Sequence, residues 1–241
     1  MFQVATVELI EQRSLLKRVD TKFVMLERAI PALLQHLTAD YAAIHVNGSN
    51  QSKYQNQYFD TNDFLCLVDH QRGKRPRFKA RIRHHVDREL SFLEVKRKSP
   101  SDETEKTRQT RPFLDETLDE DAIAFVASCS TLPAESLVPR LKVQFTRSTL
   151  VGLERNERIT IDTGLRFKAG SNTAECPKLA IVEVKQERFH PRSPVMLALR
   201  KVQADRLSIS KYCLGVHLVV PEANTAWYGR KIHTLKAILN G

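Results

Sequence analysis

The sequence predicts an α+β protein in which an antiparallel β-sheet of roughly eight strands is flanked by peripheral helices. Segments with the length and composition of strands recur along nearly the whole chain of 241 residues, and helical patterns are fewer. Several strands alternate charged and apolar residues, which is typical of a sheet with one buried face. No shift in composition divides the chain, so we expect a single domain over residues 1–241.

The strands are predicted from short runs rich in Val, Ile, Phe, Tyr and Thr that alternate with polar residues. They are RVDTKFVML (18–26), KYQNQYFD (53–60), RPRFKARIR (75–83), ELSFLEVKRK (89–98), RLKVQFTRS (140–148), ERITIDTGL (157–165), AIVEVKQE (180–187) and YCLGVHLV (212–219).

Helices are predicted over residues 27–37, 114–129, 193–204 and 226–239. In the second of these, Asp and Glu crowd the first turns, where the helix dipole favours negative charge. The polar segment SPSDETEKTRQTR (99–111) predicts a mobile loop after a strand.

The composition describes a folded protein with an acidic partner. A hydrophobic content of 41% excludes a disordered chain. The net charge is +10, from 38 Lys and Arg against 28 Asp and Glu, which indicates a nucleic acid, a phosphorylated small molecule or an anionic membrane surface as the partner.

The cysteines and the hydropathy pattern indicate the compartment. Cys66, Cys129, Cys176 and Cys213 form no CxxC pair, so reduced thiols are expected, with a disulfide as the alternative. The N-terminus has early acidic residues and no uninterrupted apolar run, unlike a signal peptide. No apolar stretch reaches the length of a membrane span. We therefore expect a soluble, cytoplasmic protein.

The segment RPRFKARIR places a cation at every second position. As a strand it would align all of them on one face, about 6.6 Å apart. The set is Arg75, Arg77, Lys79, Arg81 and Arg83. A solvated strand face would tolerate such a row, whereas a recessed face would need an anion to offset the repulsion.

Other strands carry a similar charged face. The aligned sets are Arg18, Asp20 and Lys22; Glu94, Lys96 and Lys98; Arg158, Thr160 and Asp162; and Glu183, Lys185 and Glu187. A flat sheet with one wet face would explain these rows, and so would a closed barrel with a charged interior. The excess of cations over acids on these faces favours the barrel.

The unit E-x-K occurs twice, as Glu94-Val-Lys96 and Glu183-Val-Lys185. A carboxylate beside cations suits a divalent metal that bridges phosphate oxygens, while the cations neutralise the remaining charge. The alternative for each unit is a cross-strand salt bridge of small energetic value.

A set of short motifs, in order along the chain, resembles a known family. The motifs are RVDTKF, QYFDT, KARIR, FLEVKRK, KTRQTR, VQFTRS, RITIDTGL, IVEVK and ISKYCLG. Together they resemble the polyphosphate polymerase domain of the vacuolar transporter chaperone (VTC) complex and its bacterial VTC-domain relatives, which belong to the triphosphate tunnel metalloenzymes. The resemblance implies an eight-stranded antiparallel β-barrel tunnel with peripheral helices.

The resemblance also implies roles for individual residues. Catalytic roles fall on Lys22, Arg81, Arg83, Lys96, Arg147, Arg158 and Lys211. Phosphate-binding roles fall near Lys106 and Arg108, to which the aligned charged faces add Arg18, Lys79, Lys98 and Lys185. Glu183 is the expected ligand of Mn²⁺ or Mg²⁺, and Glu94 is added from the other E-x-K unit.

Two positions depart from the patterns of the related proteins. The CYTH triphosphatases begin with E-x-E-x-K, whereas this chain has Arg18 and Asp20 before Lys22, which favours the VTC-like subgroup. The polymerase has a further lysine three positions before the lysine that corresponds to Lys211, and this chain has Ser208 there.

The predicted function is metal-dependent phosphoryl transfer on ATP, a triphosphate or inorganic polyphosphate, most similar to a polyphosphate polymerase. A triphosphatase is the second candidate, with Asp20 and Glu94 as the available general bases. A binding module without catalysis is the third. Nucleic acid ranks last because only 7% of the residues are aromatic and few fall on the charged faces. A membrane partner would be encoded by a separate chain.

Overall fold

The structure, a computed structural model, describes residues 2–13, 18–101 and 103–240. Met1, residues 14–17, Asp102 and Gly241, which belong to the domain predicted over 1–241, lie outside the described residues. Within the described ranges, no helix is both long and apolar enough to cross a membrane.

Strands dominate the fold. In chain order they are β1 (Val19–Leu26), β2 (Tyr41–Ala43), β3 (Gln51–Asp60), β4 (Arg77–His85), β5 (Leu90–Lys98), β6 (Thr104–Arg111), β7 (Val138–Gly152), β8 (Glu157–Ala169), β9 (Asn172–Cys176), β10 (Leu179–Gln186) and β11 (Asp205–Arg206).

The helices lie between and after these strands. They are α1 (Val7–Gln12), α2 (Ile30–Gln35), α3 (Leu65–Gln71), α4 (Glu120–Cys129), α5 (Pro194–Lys201), α6 (Lys211–Val219) and α7 (Gly229–Asn240).

All strands belong to one antiparallel sheet. Its order is β11-β1-β10-β8-β7-β3-β4-β5-β6, with β2 paired to β7 and β9 paired to β8. From β1 to β6 this path contains eight strands, in agreement with the α+β fold predicted from the sequence. Among the described residues no backbone pairing joins β6 to β1 or β11, so hydrogen bonds do not close the sheet into a barrel.

The sheet is nevertheless strongly curled. β1 and β4 are separated by five strand spacings in this order, which is about 24 Å across a flat sheet. Lys22 on β1 and Lys79 on β4 nevertheless hydrogen-bond consecutive residues, at Ile209 O (3.0 Å) and Ser210 Oγ (3.1 Å). Side chains from distant strands therefore meet across the concave face, which we call the inner face.

Helices cover the outer, convex face. α2 and α5 pack on one half of it, where Leu33 and Leu199 are buried against Val182. α3 and α4 pack on the other half, where Val126 is buried against Ile82. Each fully buried aliphatic side chain stabilises the fold by about 1.5–3 kcal/mol, so these two clusters hold the curled sheet from outside.

The inner face is apolar at one end and charged at the other. Along β1 and β10 the buried residues Val24 and Ile181 are followed, on the same face, by Lys22 and Glu183. α6 packs on the apolar end, where Gly215 lies so close to the sheet that a Cβ would meet side-chain atoms of Phe167 and Leu141 at 2.5 and 2.6 Å. α6 therefore closes one end of the inner face.

The strand predicted over residues 212–219 is wrong, because this segment forms α6. The side chain of Ser210 caps the helix by accepting a hydrogen bond from Cys213 N. Buried residues occur all round α6, so the sequence lacks the one-sided apolar pattern that identifies a helix at a surface.

The loop predicted over residues 99–111 is also wrong for most of its length. Residues Thr104–Arg111 form β6, which in the described part of the chain pairs with β5 alone and is the edge of the sheet. β6 is polar on both faces, as charged edge strands often are, and so it lacks the alternation that marks a half-buried strand.

Candidate active site

Basic side chains outnumber acidic ones on the charged part of the inner face. The alternation along each strand brings to it Lys22, Lys79, Arg81, Arg83, Lys96, Lys106, Arg108, Arg147, Arg158 and Lys185, and α6 adds Lys211. The carboxylates on this face are Asp20, Glu94, Asp162 and Glu183.

Glu94 lies at the centre of one group of cations. Its side chain is 3% exposed. One oxygen, Oε2, accepts hydrogen bonds from Arg81 Nε (2.9 Å) and Nη2 (2.6 Å), and the other accepts one from Lys106 Nζ (3.0 Å). Burial alone would raise the pKa of Glu94, but Arg81, Arg83 and Lys106 outweigh it and hold this pKa well below its usual range. Glu94 is therefore ionised and fixes Arg81.

Asp162 holds a second group. Its side chain is also 3% exposed, and Arg147 binds it through Nε at 2.6 Å and Nη2 at 2.8 Å. Lys211, the first residue of α6, donates a further hydrogen bond to Asp162 Oδ2. Burial opposes ionisation of Asp162, yet Arg147 and Lys211 keep its pKa well below the usual range. This carboxylate joins α6 to β7 and β8.

Glu183 differs from these two carboxylates because its oxygens are only loosely contacted. Lys185 Nζ lies 3.6 Å from one oxygen and Lys22 Nζ lies 3.9 Å from the other, with the side chain 17% exposed. Burial raises the pKa of Glu183, and the surrounding lysines lower it by more, so the carboxylate is ionised. No hydrogen bond to it is formed by the residues that the structure describes.

Lys96 and Arg158 carry charges that no carboxylate neutralises by contact within the described ranges. Lys96 is exposed to solvent, although much of the curled sheet lies around it. This environment, with Lys22 opposite, lowers the pKa of Lys96 to about 7. Burial likewise lowers the pKa of Arg158. These two side chains are available to an anion.

Aromatic rings lie among the cations, contrary to the expectation that few would fall on the charged faces. The guanidinium groups of Arg83 and Arg147 lie 5.4 and 5.3 Å from the ring centre of Tyr54. Tyr54 also stacks on Phe145 at 5.3 Å. Tyr58 lies under Arg81 and accepts a hydrogen bond from its Nη1 at 2.9 Å. The rings of Tyr54 and Tyr58 therefore pack against the guanidinium groups and help to hold them in place.

The other residues predicted to bind phosphate lie at the edges of the charged part of the inner face. Arg108 lies 4.9 Å from the ring centre of Phe92, and Arg18 donates to Asp20 Oδ1 at 3.0 Å. Lys98, at the end of β5, is paired in register with Arg77 and lies apart from the Glu94 and Glu183 groups.

Sequence reasoning gave no role to several residues that shape the site. Asn56 accepts a hydrogen bond from Arg83 Nε at 2.8 Å, and Tyr58 and Asp162 hold Arg81 and Arg147. The alternation of RITID had already put Asp162 on the same face as Arg158, which is the signal that could have identified it.

The residues on the inner face that could bind a metal are isolated carboxylates and not a cluster of ligands. The described residues contain no cluster of three or more His, Cys, Asp and Glu side chains that could bind a metal ion. Mg²⁺ is often bound by one or two carboxylates together with waters and substrate phosphates. Glu183 is ionised and accepts no hydrogen bond from the residues that the structure describes, so it fits that mode of binding. Both oxygens of Glu94, in contrast, already accept hydrogen bonds.

Comparisons with known proteins agree with this fold. The family model of the VTC domain matches residues 17–220, so α7 lies beyond the match. The structure of a candidate adenylyl cyclase from Hippeastrum, described as having a dominant triphosphatase activity, is 13% identical with a TM-score of 0.52, and the match covers 83% of this chain and 95% of that one.

A candidate adenylate cyclase from Bacillus halodurans is also 13% identical, with a TM-score of 0.49 over 80% of this chain and 94% of that one. No curated protein sequence matches the chain.

Proposed function

The chain belongs to the VTC domain family, and we propose that it transfers phosphoryl groups of ATP, a triphosphate or inorganic polyphosphate on its inner face. The favoured activity is that of a polyphosphate polymerase. The observation that carries the proposal is the excess of cations on a recessed face, where Lys96 and Arg158 lack carboxylate partners among the described residues. A chain of phosphates supplies the negative charge that this face needs.

The cations divide into two kinds with different roles. Arg81 and Arg147 are held in place by Glu94 and Asp162, so their guanidinium groups are oriented before a substrate binds. Phosphoryl transfer is catalysed mainly by such preorganised positive charge, which stabilises the charge on the transferring group. Arg83 donates one hydrogen bond among the described residues, to Asn56, and lies 3.9 Å from Glu94 and over the ring of Tyr54. It is therefore held less firmly than Arg81 and can turn toward the phosphates.

The family resemblance implies a divalent metal, and Glu183 is the residue best suited to hold Mn²⁺ or Mg²⁺. When bound, such an ion would neutralise phosphate oxygens and orient them for transfer. Lys22 and Lys185 flank the same carboxylate at 3.9 and 3.6 Å and bind phosphate oxygens on either side. Glu94 stays a predicted second ligand, disfavoured by its hydrogen bonds to Arg81 and Lys106.

A triphosphatase is the second candidate. It is favoured by α6, which closes one end of the inner face and so suits a short substrate. Hydrolysis needs a base for the attacking water. Glu94 is already engaged by two cations, and Asp20 accepts a hydrogen bond from Arg18, so Asp20 is the better placed of the two predicted bases.

The test is incubation of the purified protein with ATP and Mn²⁺ or Mg²⁺, followed by separation of phosphate, pyrophosphate and long chains. Glu183→Ala is compared with Glu222→Ala, which removes an exposed carboxylate in the turn after α6. Long chains that disappear only with Glu183→Ala support the polymerase. Free phosphate alone supports the triphosphatase. If neither product forms and polyphosphate still binds Glu183→Ala, the protein is a binding module.

A further inference from the structure

Three lysines from three separate elements bind the short segment that precedes α6. Lys231 of α7 donates to Ser208 O at 2.6 Å, Lys22 of β1 donates to Ile209 O at 3.0 Å, and Lys79 of β4 donates to Ser210 Oγ at 3.1 Å. We call Lys22, Lys79 and Lys231 the lysine group. Because they contact consecutive residues, their ammonium groups lie close together at the end of the charged inner face.

The lysine group has little compensating negative charge. Within the described part of the chain, Lys79 and Lys231 form no ion pair, and Lys22 has only Glu183 at 3.9 Å. His70 accepts a hydrogen bond from Lys79 at 3.3 Å, and burial together with Lys79 and Lys231 lowers its pKa to about 3. Burial and the neighbouring Lys22 and Lys79 also lower the pKa of Lys231. The local potential is therefore strongly positive.

There is space for an anion beside one member of the group, Lys22. A cavity of about 130 Å³ lies against Lys22 and Ser208 and is also lined by Arg206, Asp20 and Thr21. A water molecule occupies about 30 Å³ in the liquid, so the cavity has room for a group the size of a phosphate.

We use the name central cations for the basic residues around Glu94 and Asp162, namely Arg81, Arg83, Lys106, Arg147 and Lys211. We propose that the lysine group is a second phosphate subsite, to which α7 contributes Lys231, and that it binds the far end of a phosphate chain held by the central cations. The proposal rests on the proposed function, since it extends the same anionic substrate. Lys79 is two residues from Arg81 on the same face of β4, or about 6.6 Å. Lys22 adjoins Glu183. A chain on the central cations therefore reaches the lysine group by extension.

This position makes the contribution of Lys231 depend on chain length. Pyrophosphate fits on the central cations alone, whereas a longer chain also contacts the lysine group. Lys236 provides a matched control, because it lies on α7, is exposed, and makes no hydrogen bond or ion pair among the described residues.

The experiment measures the affinity of the purified full chain for pyrophosphate, tripolyphosphate and long-chain polyphosphate by calorimetry. It uses the unaltered protein, K231Q, K231R and K236Q, with thermal unfolding as a check on folding. At 0.15 M salt the Debye length is about 8 Å, which limits the effect of remote charges. K231Q is expected to bind long chains about tenfold more weakly, the size of one lost hydrogen bond to a charged group.

Pyrophosphate affinity is expected to be unchanged in K231Q, and K231R and K236Q are expected to bind like the unaltered protein. Equal affinity of K231Q and the unaltered protein for long chains would overturn the subsite, as would equal losses in K231Q and K236Q. An equal loss for pyrophosphate and long chains would overturn the dependence on length. In each case the unaltered protein still binds phosphate chains, so the subsite fails while the proposed function is left to the product assay. If the unaltered protein binds none, both proposals fail.

Discussion

Arg81 and Glu94 are register partners on β4 and β5, and Arg81 donates two hydrogen bonds to one oxygen of Glu94, at 2.9 and 2.6 Å. Lys106 on β6 binds the other oxygen at 3.0 Å. One carboxylate thus joins three neighbouring strands at the charged end of the sheet. The Glu94 side chain is nearly inaccessible to water. Removal of its charge therefore leaves Arg81 and Lys106 without their partner in a region of low dielectric.

We predict that Glu94→Gln destabilises the fold by about 3 kcal/mol, the lower part of the range for removing one partner of a buried ion pair. The measurement is the free energy of unfolding in urea at pH 7. Glu105→Gln is the matched control, because Glu105 forms an exposed ion pair with Arg97 at 3.2 Å on the same pair of strands. Exposed pairs contribute about 0–1 kcal/mol. Equal losses in the two variants would contradict the role given to Glu94.

The stability that Glu94 contributes should also depend on pH. Its pKa is lowered in the folded protein from an ordinary value of 4.5, so the contribution is complete above that value and is lost as the pH falls below it. At pH 3 the unfolded chain takes up the proton and the folded protein does not, which costs about 2 kcal/mol. The difference in unfolding free energy between the unaltered protein and Glu94→Gln should therefore shrink by that amount between pH 7 and pH 3. A constant difference would mean that Glu94 titrates normally.

Lys96 should couple phosphate binding to proton uptake. Its pKa is lowered to about 7, first because the surrounding protein limits the hydration of the ammonium group and second because Lys22 lies near it. A bound phosphate chain favours the charged amine and raises this pKa. The affinity for a phosphate chain is then highest below pH 7, where Lys96 is charged, and declines as the pH rises above 7. Above pH 7, Lys96 takes up a proton when the chain binds.

Calorimetric titrations with tripolyphosphate at pH 8, in buffers of different ionisation enthalpy, measure this proton uptake directly. Lys96→Arg keeps the positive charge at all accessible pH values and should abolish the Lys96 contribution to the uptake. Lys142→Arg is a suitable control because Lys142 is already paired with Glu116 at 2.7 Å. The same proton uptake in all three proteins would exclude Lys96 as its source.

The charged faces could be predicted from the sequence because each strand carries its own pattern. The alternation in β4, β5 and β10 placed Arg81, Arg83, Lys96 and Glu183 on one face without knowledge of the neighbouring strands. The excess of cations over acids favoured a closed arrangement of these faces, and the family resemblance implied one, but neither predicted which side chains meet across the curled sheet. Contacts such as that of Lys231 with Ser208, 23 residues apart on different elements, leave no periodic signal.

α6 shows why a buried element is harder to predict. Its sequence, KYCLGVHLV, is rich in residues that favour strands, and its burial on all sides removes the helical period. The helix forms because Ser210 caps it and because Gly215 allows close packing on the sheet. The cap depends on a single residue, and the close packing depends on the tertiary fold. Amino-acid composition alone therefore predicts a strand where the protein forms a helix.

Gly215 therefore provides a test of how tightly α6 closes the inner face. A Cβ there would lie 2.5 Å from Phe167 Cδ1 and 2.6 Å from Leu141 Cδ2. Overpacking of this kind costs about 1–3 kcal/mol, against about 1 kcal/mol gained from the higher helix propensity of Ala. The net loss is therefore about 0–2 kcal/mol. We predict that Gly215→Ala lowers the free energy of unfolding by about 1 kcal/mol, the middle of this range. It should also weaken phosphate binding, because α6 carries Lys211 to Asp162.

Gly229→Ala is the matched control, since a Cβ at Gly229, the first residue of α7, meets nothing within 4 Å. This variant should be as stable as the unaltered protein or up to about 1 kcal/mol more stable, with unchanged affinity for tripolyphosphate. If Gly215→Ala behaves in the same way, α6 is packed loosely enough to move. The inner face would then be open at both ends to a threading phosphate chain.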